Sequence, residues 1–473
     1  MTFNNKQINS FILVGASIAG TWFVLYLNGM IVTSQKPLKK RFKAFCFSIY
    51  RKFFPNVNKQ IEEALNKTKQ ELINSIHQYD LGLDFIRELP LTAINHDSII
   101  QRINYYQNME GRFDYIKGRV SGTVYTNVDP NHMAILGEVF HKFAFSNPLH
   151  PAEIIKIVSN LFNGPKEAVG TVTTGGTESI ILACLSARNF AFSKGINNPN
   201  IVVPKTAHAA FDKACSLLQI EIKHIPCDPI TLRVNLKALR RAIDRNTCLL
   251  VGSAPNFPYV HVDACLGGFI VAFSERSPAL SHIPIFDFRL PGVTSISCDT
   301  HKYGYAPKGT STIIYRSTEL LHCQYFAVTE WPGGIYATPT LPGSRAGLNI
   351  ALTWATLLYF GRSGYEERAN LIATRTAQLA DAISKIPGLF IVGKPDVSVV
   401  SDVIIKFLND LCKCCEQVCQ LDDRGKGSKT AALYGMAAKI PDKSIIEHVA
   451  HLYLDACYSM PDTLPEAISI ENN

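Results

Sequence analysis

From about Ile154 to Ala254 short apolar runs alternate with amphipathic stretches. "EIIKIVSNLF" spaces its apolar residues for a helix, and "AVGTVTT" is a short run rich in small and β-branched residues. "TESIILACLSARNFAFS" predicts a long helix, "IVV" a strand, "HAAFDKACSLLQ" a helix, "IEIKHIP" a strand, "LKALRRAID" a helix and "TCLLVGSA" a strand. "VHVDA" and "GVTSIS" read as further buried strands. Strands alternating with helices predict an α/β fold whose mostly parallel sheet is covered on both faces.

The N-terminal part follows other rules. In "NKQIEEALNKTKQELINSIHQY" the residues Ile61, Leu65, Leu72 and Ile73 recur at helical spacing, and "LPLTAIN" ends the helix. Upstream, no Asp, Glu, Lys or Arg occurs between Lys6 and Lys36. Within that gap Phe11 to Val32 is long enough to cross a hydrocarbon layer of ~30 Å. A secretory signal would have a shorter apolar region ending in a small-residue cleavage site. Lys36, Lys39, Lys40, Arg41, Lys43, Arg51 and Lys52 follow the run, against Lys6 before it. The positive-inside rule then places the bulk of the chain in the cytosol. The organisation expected is a luminal N-terminus (1–10), a transmembrane anchor (11–33), a basic and helical segment (34–120), a large domain (121–345) and a small C-terminal domain (346–473).

Composition changes this picture little. The 473 residues, 47% hydrophobic and 18% charged, suit a globular protein of two or three domains. Much of the +8 net charge sits in the basic cluster after the anchor, so it does not point to nucleic acid. Thirteen cysteines lie scattered without a framework, as suits reduced thiols in the cytosol. Cys412, Cys414, Cys415 and Cys419 have metal-ligand chemistry, but Phe407, Leu408, Leu411, Cys412, Cys415, Val418 and Cys419 share a helical face. A buried stripe is the better reading, and no metal site is expected.

Four stretches carry chemistry. "TTGGTES" joins a strand to a helix, and its glycines let backbone N–H groups meet an anion at the helix N-terminus. Gly175, Gly176 and Thr177 would cradle a phosphate; the rival is a plain cap by Thr174 or Thr177. Asp263 ends an apolar run and needs a partner, either a protonated ring nitrogen or a helix cap or buried cation. His208 opens a helix, where it would stack on a flat ring or cap the helix. "CDTHKYGYAPKG" delivers Lys302 from the end of a buried strand. Burial would lower the lysine's pKa and free its amine as a nucleophile. An anion cradle, a stacking imidazole, a carboxylate and a nucleophilic lysine together describe a pyridoxal 5'-phosphate site, with Lys302 attacking the aldehyde.

"GRVSGTVYTN", "FAFSNPLHP", "TTGGTESI", "HAAFDKA", "HVDACLGGF", "VTSISCDTHKYGYAPKGTS", "WPGGIYATPTLPGSRAG" and "LYGMAAKIPD" closely resemble the sphingosine-1-phosphate lyase family. The resemblance covers most of the chain. It implies the type I fold of pyridoxal-phosphate-dependent transferases and a homodimer with sites at its interface. It also implies an endoplasmic-reticulum lyase that cleaves the C2–C3 bond of phosphorylated sphingoid bases. By position in the family motifs, Lys308 and Tyr125 match the substrate-phosphate contacts. His150 matches an active-site histidine that shuttles protons, and His301 joins Gly176 and Thr177 at the cofactor phosphate. Arg345 lies in a loop that the family brings near the site.

The chain also departs from the family. Three blocks are absent: between "NPLHP" and "AEIIKI", between "GSAPNFPY" and "VHVDA", and after "KPDVSVV" (Lys394 to Val400). Two readings follow, an active lyase and a catalytically impaired, membrane-anchored form that acts by pairing with intact subunits. An amino-acid decarboxylase is disfavoured by the anchor and Lys308. At the second gap only Ala254 to Tyr259 separates two strands expected to be parallel. Parallel neighbours need a crossover of about a dozen residues, and this segment reaches ~21 Å at most. The expectation is that one strand is displaced or a sheet face left bare, with Asp263 the most vulnerable part of the site.

Overall fold

The computed structural model describes residues 55–77, 89–90, 92–109, 129–147, 151–252, 259–386, 390–391, 393–399, 402–403, 449–452 and 454–455. The chain divides into two compact units, residues 1–114 with 415–473, and residues 115–414. In the first unit, α1 spans Pro55–His77 and α2 spans His96–Met109. The expected break between them falls at Asn95, whose Oδ1 accepts the Ser98 N–H at 2.9 Å and caps α2. The expected anchor and the cysteine stripe lie outside the described residues. Among those described, no helix is long and apolar enough to cross a membrane, and the cysteines are free thiols.

The second unit is the expected alternation. Helix α3 (Pro130–Phe143) and α4 (Ala152–Leu161) precede β1 (Val169–Thr173), α5 (Gly176–Ser193), β2 (Asn200–Pro204) and α6 (Ala210–Leu218). Then come β3 (Glu221–Ile225), α7 (Leu236–Ala242), β4 (Thr247–Val251), β5 (Val260–Asp263), α8 (Gly268–Val271), β6 (Val293–Cys298) and β7 (Ser311–Tyr315). These strands form one seven-stranded sheet in the order β1-β7-β6-β5-β4-β2-β3. Only β7 runs against its neighbours, β1 and β6. Helix α9 (Thr318–His322), the hairpin of β8 (Phe326–Val328) and β9 (Tyr336–Thr338), α10 (Gly347–Ser384, broken at Gly361) and the β10–β11 pair (Phe390–Ile391, Asp402–Val403) follow.

Alternation along the strands sorts side chains to two cores. Val202, Leu250, Val260 and Ile296 pack with Val158 and Phe162 of α4 and with Ile350 and Leu357 of α10. Ile201, Val203, Leu249 and Val251 pack with Ile180 and Ile181 of α5 and with Phe211 and Ala214 of α6.

Of the two expected outcomes, the β4–β5 pairing shows the displaced strand, as a slip along its axis. β4 and β5 are parallel neighbours, but only the end of one meets the start of the other: Leu250 pairs with Val260 and Val251 with His261. Leu250 N–H donates to the Tyr259 carbonyl and Gly252 N–H to that of His261, both at 3.1 Å. With this slipped register the connection need not return along a whole strand. Tyr259 enters β5 with φ 70°, a left-handed turn that bulky residues seldom adopt, and its ring lies 5.1 Å from that of Phe190. No sheet face is bare there: Leu249, Leu250, Val251, Val260 and Val262 are all buried. Asp263 is held from the other side, where β5 pairs with β6 through Asp263 opposite Ser297. The strand is therefore offset along its axis but kept in the sheet, and Asp263 is held in register by β6.

His261 of β5 is fully buried, with Nδ1 2.9 Å from Ser295 Oγ and Nε2 3.2 Å from Ser297 Oγ. Burial pulls its pKa down from 6.5 to about 4, against a smaller opposing pull from Asp263. The unfolded chain takes up this proton as pH falls through 6.5, and the folded chain does not until about 4. Stability should therefore be lost as pH drops through that window, by about 3 kcal/mol from this group. Urea unfolding across the window should show the acid slope, and His261→Gln should remove that share of it. An unchanged slope in the variant would contradict the assignment.

Candidate active site

The carboxyl ends of β1, β5 and β6 converge on one cleft, the position where open α/β sheets bind ligands. At the end of β1, Thr173 leads into Thr174, Gly175 and the first turn of α5. Glu178 of that turn is buried, and its Oε2 accepts the Thr174 N–H and hydroxyl, both at 2.7 Å. Gly175 occupies the N-cap position and no side chain caps the helix. The plain-cap alternative for Thr174 or Thr177 is thus not what forms, and the helix N-terminus is left without a side-chain acceptor. Gly176 is required by space: a Cβ there would lie 2.8 Å from both Asp299 Oδ1 and Cys265 Sγ.

At the end of β5, Asp263 Oδ1 accepts the Cys265 N–H at 3.1 Å and the Ser297 hydroxyl at 3.4 Å. Among the described residues it forms no ion pair. His208 does cap locally, its Nδ1 accepting the Ala210 N–H at 3.0 Å, and it also lines the cleft. The cleft comprises two adjoining cavities of about 380 and 400 Å³ that share His208, Asp263, Cys265 and Lys302. The second is closed by Thr174 to Glu178, Asp299 and His301.

After β6 the chain folds back at once. Tyr305 N–H donates to the Lys302 carbonyl and Ala306 N–H to that of Thr300, each at 3.0 Å. Tyr305 takes φ 59°, and Tyr365 of α10 donates to the Gly304 carbonyl at 2.8 Å. A Cβ on Gly304 would strike the Thr300 carbonyl at 2.4 Å. This tight turn aims Lys302 inward.

The turn also brings in a group that the motif reading missed. Asp299 is 2% exposed, and its Oδ2 lies 2.9 Å from Lys302 Nζ. Among the described residues its buried Oδ1 has no hydrogen-bond partner. Burial works to lower the Lys302 pKa, but Asp299 outweighs it and holds the ammonium above the ordinary lysine value. The expected freeing of the amine by burial is therefore reversed by the carboxylate three residues earlier. His301 Nε2 lies 3.8 Å from Asp299 Oδ2, and its Nδ1 contacts the Thr310 carbonyl. Lys308 Nζ is 3.5 Å from the His301 carbonyl; burial and then repulsion from Lys302 hold its pKa down.

Arg345 is brought close but not into the cleft. Its Nη1 donates to the Val172 carbonyl behind the helix start. Burial lowers its pKa, opposed by Glu178. Glu178 Oε1 accepts the Leu341 N–H at 3.3 Å, so the same loop is tied once to β1 and once to α5. Tyr125 and His150 lie outside the described residues.

These residues fit pyridoxal phosphate. An uncapped helix N-terminus suits its phosphate, Asp263 suits its ring nitrogen, and Lys302 is the amine for its aldehyde. The lone oxygen of Asp299 and the space reserved at Gly176 mark a polar recess beside that cradle. Residues 256–404 match the pyridoxal-dependent decarboxylase conserved domain. The glutamate decarboxylase of Lactobacillus brevis shares the fold, with TM-score 0.56 at 18% identity over 80% of this chain and 97% of that one. Fold and site thus define a pyridoxal-phosphate-dependent enzyme of the decarboxylase-like α/β class.

The sphingosine-1-phosphate lyase of Drosophila melanogaster is 37% identical over 88% of this chain and 88% of its own. Sphingosine-1-phosphate lyase 1 of Rattus norvegicus is 34% identical over 94% and 90%. The Burkholderia pseudomallei sphingosine-1-phosphate lyase structure superposes with TM-score 0.64 at 35% identity, covering 71% of this chain and 85% of that one. The chain belongs to the sphingosine-1-phosphate lyase family. Its alignment with the rat protein runs over 518 positions, more than the 473 residues present, so that relative has internal residues missing here.

The ion pair generates a test. In Asp299→Asn the largest opposition to burial is removed, and the Lys302 pKa should fall. Labelling the cofactor-free chain with an amine reagent across pH, followed by peptide mapping, reads the midpoint directly. A midpoint that stays put would show that Asp299 does not control the amine.

Proposed function

We infer that this chain is a pyridoxal-phosphate-dependent carbon–carbon lyase. It cleaves the C2–C3 bond of phosphorylated sphingoid bases to a long-chain aldehyde and phosphoethanolamine. The observation that carries the reading is the convergence of Lys302, Asp263 and the uncapped start of α5 on one cleft, in a chain of this family. Bound there, pyridoxal phosphate supplies an electron sink for the bonding pair released at C2.

The protein's own groups do the rest. Gly175, Gly176 and Thr177 hold the cofactor phosphate at the helix N-terminus, with His301 beside them. Asp263 keeps a negative charge at the ring nitrogen, and His208 offers a flat imidazole to the ring face. Lys302 would be the amine that holds the cofactor's aldehyde, and Asp299, 2.9 Å from its Nζ, would hold that amine as an ammonium when it is not so engaged. Lys308 lies six positions beyond Lys302 in the same turn. It is suited to the substrate phosphate by charge-assisted hydrogen bonds, with Tyr125 as its companion by motif. His150, by its place in the motif, would take the proton of the 3-hydroxyl as the aldehyde forms and deliver a proton to C2 of the departing phosphoethanolamine.

The wider setting is part of the same proposal. The uncharged run Phe11 to Val32 and the basic cluster after it support a single anchor in the endoplasmic-reticulum membrane, with the catalytic unit cytosolic. The family resemblance supports a homodimer. A second reading, a membrane-anchored form with reduced turnover that pairs with intact subunits, rests on the blocks absent from this chain relative to its family.

Purified chain should release aldehyde from sphingosine 1-phosphate, and Lys302→Ala should abolish it. Lys308→Ala should retain the cofactor while weakening substrate binding by about 1.5–3 kcal/mol, read as KM. A variant with a longer crossover inserted after Tyr259 separates the readings. Turnover only in that variant would favour the impaired form; no aldehyde from either chain would reject the lyase.

Topology has its own check. Asn66 stands in the sequon "NKT" and should stay unglycosylated in cells, because such sites are used on the luminal side. A glycan on Asn66 would reverse the proposed orientation.

A further inference from the structure

Behind Asp263 lies a buried chain of polar groups that the reaction does not touch. His261, Ser295 and Ser297 are at most 3% exposed. Ser295 Oγ meets His261 Nδ1 at 2.9 Å, His261 Nε2 meets Ser297 Oγ at 3.2 Å, and Ser297 Oγ meets Asp263 Oδ1 at 3.4 Å. Cys265 Sγ adds a contact to Ser297 Oγ at 3.2 Å.

The hydrogens of this chain can be assigned from its last member. An ionised carboxylate only accepts, so Ser297 donates to Asp263. The Ser297 oxygen is then left with two acceptor positions, filled by His261 Nε2–H and the Cys265 S–H. A neutral imidazole carries one N–H, so His261 Nδ1 accepts, and Ser295 is its donor. Burial holds the imidazole neutral, as this requires. Every bond then points toward Asp263, and no member is left unmatched. The backbone brings the members together, because Ser295 and Ser297 lie opposite His261 and Asp263 in the β5–β6 register.

We propose that His261 and Ser297 are positioning residues for Asp263, a directed relay that fixes its carboxylate toward the bound cofactor. The proposal rests on the reading that Asp263 meets the ring nitrogen. The relay orients Oδ1 by two donors, Ser297 Oγ–H and Cys265 N–H, and so sets which way the carboxylate presents itself to the cleft. Neither His261 nor Ser297 is required to touch the cofactor.

A double-mutant cycle on the full chain tests this. The dissociation constant of pyridoxal phosphate is measured by visible absorbance for the unmutated chain, Ser297→Ala, Asp263→Asn and the double variant. Ser297→Ala should weaken binding by about 3- to 10-fold beside the native Asp263, the effect of one lost hydrogen bond. In the Asp263→Asn background it should change binding by less than about twofold, because the group it acts through is gone. An equal loss in both backgrounds would mean that Ser297 serves packing only, and would overturn the relay while leaving the cofactor site intact. If the unmutated chain binds no pyridoxal phosphate, the functional reading fails and the relay with it. Should Ser297→Ala not fold, Ser295→Ala interrupts the chain one step further back, and the same dependence on Asp263 is expected.

Discussion

The site depends on the pairing of β5 with β6. That ladder sets Asp263 opposite Ser297 and ends both strands at the same edge of the sheet. Past that edge, Asp299, His301 and Lys302 follow β6 within a single tight turn. The start of α5 reaches the same place because β7, lying between β6 and β1, runs antiparallel to both. A cofactor-sized recess with an anion cradle at one end and a carboxylate at the other is the consequence. Both walls are strand ends within one core, so the distance between cradle and carboxylate is set by sheet packing and not by loops.

Within that frame the balance of charge decides how the lysine behaves. Burying an ammonium disfavours it, and a carboxylate at 2.9 Å restores it. Asp299 thus keeps Lys302 charged when nothing else occupies the cleft. The cost of burying Asp299 is only partly offset, because one of its oxygens has no hydrogen-bond partner among the described residues. A site that holds its nucleophile as an ion pair is stable but guarded, and binding at the lysine requires the proton to leave. The nearby Lys308 is held the other way, its charge disfavoured by burial and by Lys302. An anion entering beside Lys308 would relieve that repulsion, as a phosphorylated substrate would.

Much of this was legible in the sequence. The period of each apolar run gave the helices and strands of the sheet close to their observed bounds. The glycines before α5, the carboxylate ending β5 and the lysine after β6 stood out because each breaks a local rule that a structural residue would keep. Asp299 did not stand out, because a lone aspartate at a strand end reads as a turn residue until its distance to Lys302 is known. The slipped β4–β5 register was hidden for a different reason. Register depends on which residues meet across strands, and a one-strand pattern such as "CLLVGS" carries no information about it. The antiparallel course of β7 was equally invisible, since "STIIY" is apolar whichever way it runs. Leu341 and Arg345 lie far in sequence from Glu178 and Val172, and only folding shows that they fasten their loop to the start of α5 and the end of β1.

The central claim is that the short crossover leaves the cofactor site whole, because Asp263 is held by β6. Titrating the purified cofactor-free chain with pyridoxal phosphate, followed by borohydride reduction and peptide mapping, tests it most directly. The account predicts one cofactor per chain, fixed at Lys302, with the affinity unchanged when a longer crossover is inserted after Tyr259. Capture at Lys308, or binding that appears only with the longer crossover, would contradict it.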